Sequence, residues 1–332
     1  MSCITARVGW SGRGAAAGLA SCLLAAAGCG APPEDPRDPP GGLRFEALPP
    51  IDPAEVAPLE TYRARDGSDL PVRHYPAEAG VTLVLIHGSG YHGRYLAPLA
   101  RRLAAAGAVR VYTPDLRGHG VAPARRGDID YVDQLEDDLA DLAAHARQRH
   151  PGTRLVIGGH SSGGGLAVRF AGSRHAEQAD GFVLLAPYLG HDAPTARPDA
   201  GWARPRVPLI VALAILNGAG ITAANRLTAI TFAMPEAVRD GSETLAYSYR
   251  LTTGFAPRDY RVDLAGLRVP LLALIGAEDE AFLPDRLAPA LDFVDSARVE
   301  VIPGVAHLDL PAAPETAARI AGWLAEGEGG RR

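Results

Sequence analysis

The sequence predicts an α/β fold on a mostly parallel sheet, with an insertion late in the chain. Three observations carry this. Short apolar runs alternate with helical periodicity from about residue 59 to 187. Runs such as "VTLVLIH" (81–87) and "GFVLLAP" (181–187) are continuously apolar, as expected for strands buried on both faces. The beat breaks over 188–260 and returns at "VPLLALIGAEDE" (269–280) and "RVEVIPGVAH" (298–307).

In order, "ETYRARDGSDLPVRHYPA" (60–77) reads as two strands around Asp66-Gly67. After the strand at 81–87 a helical pattern covers 95–106, and "VRVYTPD" (109–115) is the next strand. Val132, Leu135, Leu139, Leu142 and Ala146 then lie three and four apart, on one helix face. "TRLVIGGHS" (153–161) is a strand, "SGGGLAVRFAG" (162–172) a helix, and "GFVLLAP" a strand again. The insertion holds apolar stretches such as "RVPLIVALAILNGAG" (206–220) and reads as a helical lid over the sheet end. A final helix is expected over 314–324, with Ile320, Trp323 and Leu324 apolar. The predicted organisation is a leader at 1–29, a tether at 30–57, a core at 58–187 and 261–327, and a lid at 188–260.

The bulk numbers bound the chemistry. The 332 residues are 47% hydrophobic with net charge −5, and no long basic block is present, which argues against nucleic acid as a partner. Cys3, Cys22 and Cys29 all fall in the first thirty residues, so the body has no cysteine for a disulfide, a metal or a nucleophile. The first acid is Glu34, Arg7 and Arg13 are positive, and 14–28 is a short apolar run, the pattern of an export signal. "AAGC" ending at Cys29 resembles a bacterial lipobox; "LASC" ending at Cys22 is the alternative, and a plain cleaved signal the other. The expectation is an exported, membrane-anchored lipoprotein lipidated at Cys29, with "PPEDPRDPPGG" (32–42) as an extended tether.

The chemistry centres on "GGHSSGGG". Only Ser161 has glycine at both −2 and +2, Gly159 and Gly163, between a strand and a helix. A serine on so tight a turn needs small residues on either side, and the turn lifts its hydroxyl clear of the sheet. It also aims the backbone N–H of Ser162 at a reacting carbonyl oxygen. A serine hydroxyl needs a base, and the base an orienting acid; on this kind of turn they follow in the order acid, then histidine. Three histidines remain, His175, His191 and His307, and His307 alone follows the last strand. Among Glu278, Asp279 and Glu280, the loop form Gly276-x-x-Asp279 favours Asp279.

With Ser161, Asp279 and His307 placed, the chain resembles the α/β-hydrolase superfamily, and within it the monoacylglycerol lipase, lysophospholipase and serine aminopeptidase branch. The resemblance rests on "IHGSGYHGRYLAPLARRLAAAG", "PDLRGHG", "DYVDQLEDDL", "HPGTRLVIGGHSSGGGLAVRFA" and the last two strand ends, over about 60–325. It departs at Ser162, where the branch often carries an apolar residue. It implies an oxyanion donor at the backbone N–H of Ser89, paired with that of Ser162. His87, Gly88 and Gly90 are then supporting residues of that loop. It implies ester substrates, acyl lipids among them, with amides open to the same residues, and neither cofactor nor metal. Two rivals remain. Gly88, Gly90 and Gly93 also spell a dinucleotide fingerprint, with Asp115 where a ribose-binding acid would sit. A non-catalytic binding lipoprotein on the same fold is the other.

Overall fold

The computed structural model describes residues 42–45, 51–197 and 201–329. The export signal, Cys22, Cys29 and most of the tether lie outside the described residues. Eleven named strands form two sheets. The larger uses β1 (Leu59–Arg63), β2 (Asp69–Tyr75), β3 (Val81–Ile86), β4 (Arg110–Pro114), β5 (Arg154–His160), β6 (Gly181–Leu185), β10 (Leu271–Gly276) and β11 (Ala297–Ile302). Their spatial order is β1-β2-β4-β3-β5-β6-β10-β11. β1 and β2 pair antiparallel, as does β2 with β4. Every other pair is parallel.

All residues of β3, β4, β6 and β10 are buried, so both sheet faces are covered. α1 (Ala97–Ala105) packs against α8 (Pro314–Gly329). α2 (Gln134–Arg149) and α3 (Ser162–Ala171) pack together in a second group. α5 (Tyr249–Phe255) and α6 (Tyr260–Leu264) also lie against α3. β3 and β5 are adjacent and parallel, with Ile86 opposite Gly159. That register sets the loop after β3 beside the turn after β5.

The structure corrects the sequence reading in three places. The insertion is not wholly helical: β7 (Ala203–Pro205), β8 (Thr228–Phe232) and β9 (Ala246–Ser248) form an antiparallel sheet beside α4 (Val207–Gly218). Strands of three to five residues are too short to show a period. Gly93, the third glycine of the dinucleotide fingerprint, has a structural task instead. Its N–H donates to Asp115 Oδ1 at 2.8 Å, and a Cβ there would sit 2.8 Å from Thr113 O. The expected tether at 30–57 also packs in part. Leu43 and Phe45 are 8% and 2% exposed, and Pro53–Glu55 forms a 3-10 turn capped by Asp52. The prolines masked two apolar side chains that have somewhere to go.

Candidate active site

Ser161 stands between β5 and α3 with φ 57° and ψ −121°. This is left-handed backbone, which costs a non-glycine residue about 1–3 kcal/mol and persists only where surroundings over-determine it. They do so here. Ser161 N–H donates to Leu185 O at 2.9 Å, and its carbonyl accepts from Gly165 N at 3.1 Å and Tyr188 N at 3.0 Å. The flanking glycines are required by contact. A Cβ on Gly159 would lie 2.2 Å from Gly163 backbone, and one on Gly163 would lie 2.4 Å from both Ile86 O and His87 O.

His307 follows β11, 1% exposed. Its Nδ1 and Asp279 Oδ2 are 2.8 Å apart. The other carboxylate oxygen of Asp279 accepts from the N–H groups of Ala281 at 2.9 Å and Phe282 at 2.7 Å. The three acids are therefore sorted by geometry. Asp279 meets the imidazole, Glu278 is exposed beside Arg44, and Glu280 Oε2 accepts the His307 backbone N–H at 3.0 Å. The other histidines are elsewhere: His175 Nε2 meets Asp137 Oδ1 at 2.8 Å, and His191 is exposed. Ser161 and His307 line one small pocket with Ser89, although no hydrogen bond joins Ser161 to His307. The backbone N–H groups of Ser89 and Ser162 have no backbone acceptor among the described residues. Ser162 is also the first residue of α3, where the helix dipole favours negative charge.

Two tyrosines bracket Ser89, and neither is visible as such in the sequence. Tyr95 Oη accepts the Gly88 N–H at 2.8 Å and donates to His160 Nδ1 at 2.8 Å. His160 Nε2 then donates to the His307 carbonyl at 3.0 Å. One chain of hydrogen bonds thus runs from the loop after β3, through the residue before Ser161, to the backbone of His307. Tyr247, from β9, accepts the Gly90 N–H at 2.8 Å and donates to His119 Nε2 at 2.6 Å. Thr244 N–H adds a bond to Gly90 O at 3.0 Å. Trp202 Nε1 donates to Ser89 Oγ at 3.1 Å. A signal for His160 was its place just before the serine. Tyr95 lies in the same loop but nothing marks its hydroxyl as a brace, and Trp202 and Tyr247 come from distant segments and carry no signal.

The electrostatics fit neutral bracing histidines. His87 Nδ1 donates to Gly88 O at 2.8 Å and its Nε2 accepts Leu116 N–H at 3.1 Å. Burial pushes its pKa down to about 4. Burial also holds His160 and His119 well below the ordinary imidazole value. Asp115 is committed to structure, 2% exposed and paired with Arg73 Nη1 at 2.7 Å. Burial alone would raise its pKa, but His92 and Arg73 hold it well below the carboxylate range. It is not free for a ribose, and the dinucleotide reading loses its acid. No group of three or more metal-binding side chains occurs among the described residues.

Known proteins resemble this chain over most of its length. The family profile described as "Serine aminopeptidase, S33" matches residues 77–310. A monoacylglycerol lipase of Mycolicibacterium smegmatis is 27% identical over 243 residues, 68% of this chain and 80% of the relative. A pimeloyl-[acyl-carrier protein] methyl ester esterase of Chromobacterium violaceum is 29% identical over 213 residues, 60% of this chain and 76% of the relative. Among solved structures, a monoglyceride lipase of Saccharomyces cerevisiae bound to a substrate analogue superposes with TM-score 0.64 at 18% identity, covering 82% of this chain and 96% of that one. A Paleococcus ferrophilus monoacylglycerol lipase does so with TM-score 0.57 at 21% identity, covering 78% and 99%.

Proposed function

Because the chain belongs to the serine aminopeptidase S33 family of α/β hydrolases, we propose that it hydrolyses carboxylic esters with Ser161 as nucleophile, His307 as base and Asp279 as the orienting acid. The observation that carries this is the pairing of His307 Nδ1 with the buried Asp279 carboxylate at 2.8 Å, in the pocket that holds Ser161 on its strained turn. Ser161 Oγ attacks the acyl carbon while His307 Nε2 takes its proton. Asp279 keeps the proton on Nδ1 in the resting imidazole and stabilises the imidazolium that forms. The N–H groups of Ser89 and Ser162 receive the tetrahedral oxyanion, where one donor is typically worth about 10²–10³ in rate. His307 then protonates the leaving alcohol, and water repeats the sequence on the acyl-enzyme.

Lipid-like acyl esters are the favoured substrates. The lipase and esterase relatives support this, as does α4, which has no charged residue and exposes Val207, Val211 and Ile215 on one face. Amide hydrolysis needs the same residues and is the second arm of the test. We also keep the export and lipidation at Cys29 as part of the proposal. A fluorophosphonate probe should label the protein, and Ser161→Ala should abolish labelling. Short p-nitrophenyl esters should turn over faster than matched anilides. A folded protein that neither labels nor turns over any ester refutes the reading.

A further inference from the structure

The pocket that holds Ser161 and His307 has a volume of about 10 Å³, room for roughly one water. That is far less than an acyl chain needs. A cavity of about 250 Å³ lies beside it, and Tyr91, Tyr95 and Leu308 wall both. The segment Leu43–Phe45 touches both: Leu43 lines the small pocket with Ser161, and Phe45 lines the large one. Phe45 packs at a tilt against Trp202, ring centroids 5.3 Å apart, and against Tyr91 at 6.4 Å.

This segment is held unlike the rest of the molecule. It belongs to neither sheet. Leu43 and Phe45 join a small apolar cluster with Met234, Ala281 and Leu308, separate from the main core. The segment is a tight turn, with the Phe45 N–H donating to Leu43 O at 3.0 Å, and Arg44 is exposed. Its N–H donates to Glu280 Oε1 at 2.9 Å, and its guanidinium meets Glu278 at 3.2 Å with both side chains about half exposed. Glu280 therefore holds the segment with one oxygen and the His307 backbone with the other. Trp202, the other cover over Ser89, is tied by its carbonyl to Ala233 N–H at 2.8 Å and runs into β7. Of the two covers, the segment is the one that yields without breaking a sheet.

We propose that Leu43–Phe45 is a strap that occupies the substrate's place, and that its withdrawal joins the two cavities into one ester-binding cleft. Leu43 and Phe45 then set access and substrate size, the apolar part of the ester replacing their side chains. This inference rests on Ser161 being the nucleophile. When a site is open for only a fraction of the time, its apparent affinity falls by that fraction, so loosening the strap must raise the rate.

The test uses the full chain. In Leu43→Ser/Phe45→Ser the second-order rate of fluorophosphonate labelling and kcat/KM on p-nitrophenyl esters should rise about tenfold or more. The gain should be larger for long acyl chains than for acetate. Arg44→Glu repels the strap from Glu278 and Glu280 while keeping both apolar side chains, and should move the same rates upward by a smaller factor. It decides the matter if the double variant does not fold. Folded variants whose rates are unchanged or lower overturn the strap, since side chains that merely build the pocket wall would lower them. Labelling of every form at one rate overturns the strap alone. No labelling of wild type and variants alike overturns the Ser161 reading instead.

Discussion

Tyr95→Phe removes one oxygen and strands two partners. In the native protein that hydroxyl accepts from Gly88 N–H and donates to His160 Nδ1, both at 2.8 Å. Gly88 and His160 are buried, while Tyr95 is half-buried between the two cavities and burial raises its phenol above its ordinary pKa, so water replaces at most part of the lost bonding. Each buried group left unpaired costs about 1–3 kcal/mol, so the variant should lose at most about 2–6 kcal/mol of stability. For a domain of this size that lowers the melting temperature by about 3–10 °C. The catalytic effect is separate. Gly88 precedes Ser89, His160 precedes Ser161, and His160 also holds the His307 carbonyl, so kcat should fall about tenfold, a misplacement worth about 1.4 kcal/mol. Denaturant melts and ester kinetics on the same preparation read both. Tyr91→Phe is the control: Tyr91 lines the same pocket, yet its hydroxyl serves neither Gly88 nor His160. A Tyr95→Phe protein as stable and as active as Tyr91→Phe would show that the hydrogen-bond chain does not hold the site.

Four further outcomes are expected. His307→Ala should lower turnover by at least about 10³-fold, because the members of such a triad act as a unit; near-native turnover puts the base elsewhere. Ser89→Ala should keep its backbone N–H and most activity, losing only the bond from Trp202, whereas Ser89→Pro should lose activity; equal rates in the two refute the oxyanion role. Gly163→Ala should cost about 3 kcal/mol or more and abolish probe labelling, since its Cβ meets two carbonyl oxygens at 2.4 Å; a stable, labelled variant counts against that contact. The acid dependence follows from His87. Its folded pKa is about 4 against an unfolded value near 6.5, so the unfolded state binds the proton first as pH falls. Stability is full above about pH 6.5 and declines by about 3 kcal/mol as pH drops through 4. Urea melts at pH 7 and pH 4 check this, and His87→Asn should flatten the slope.

Much of the fold was legible because its signals are local. Continuous apolar runs give parallel strands, and one tight turn with glycine on both sides gives Ser161. The form Gly276-x-x-Asp279 favoured Asp279 over Glu278 and Glu280, but the backbone N–H groups of Ala281 and Phe282 that hold its carboxylate inward were not legible. The bracing residues were not legible. Tyr247 reaches Gly90 across 157 positions and Trp202 reaches Ser89 across 113, and nothing near either residue announces the partner. The strap was misread for a different reason. Proline and glycine surround Leu43 and Phe45, and composition averaged over that stretch hides two side chains that find an apolar seat.

The bond between Tyr247 and Gly90 has a consequence for how such an enzyme is tuned. β9 belongs to the insertion, while Gly90 belongs to the loop that presents Ser89. A shift of the insertion therefore reaches the loop after β3 through Tyr247, together with Thr244 and Trp202, and His119 in the core meets the same phenol. Sequence drift in the insertion is in this way constrained at Tyr247 and Trp202 even where its surface is free to vary.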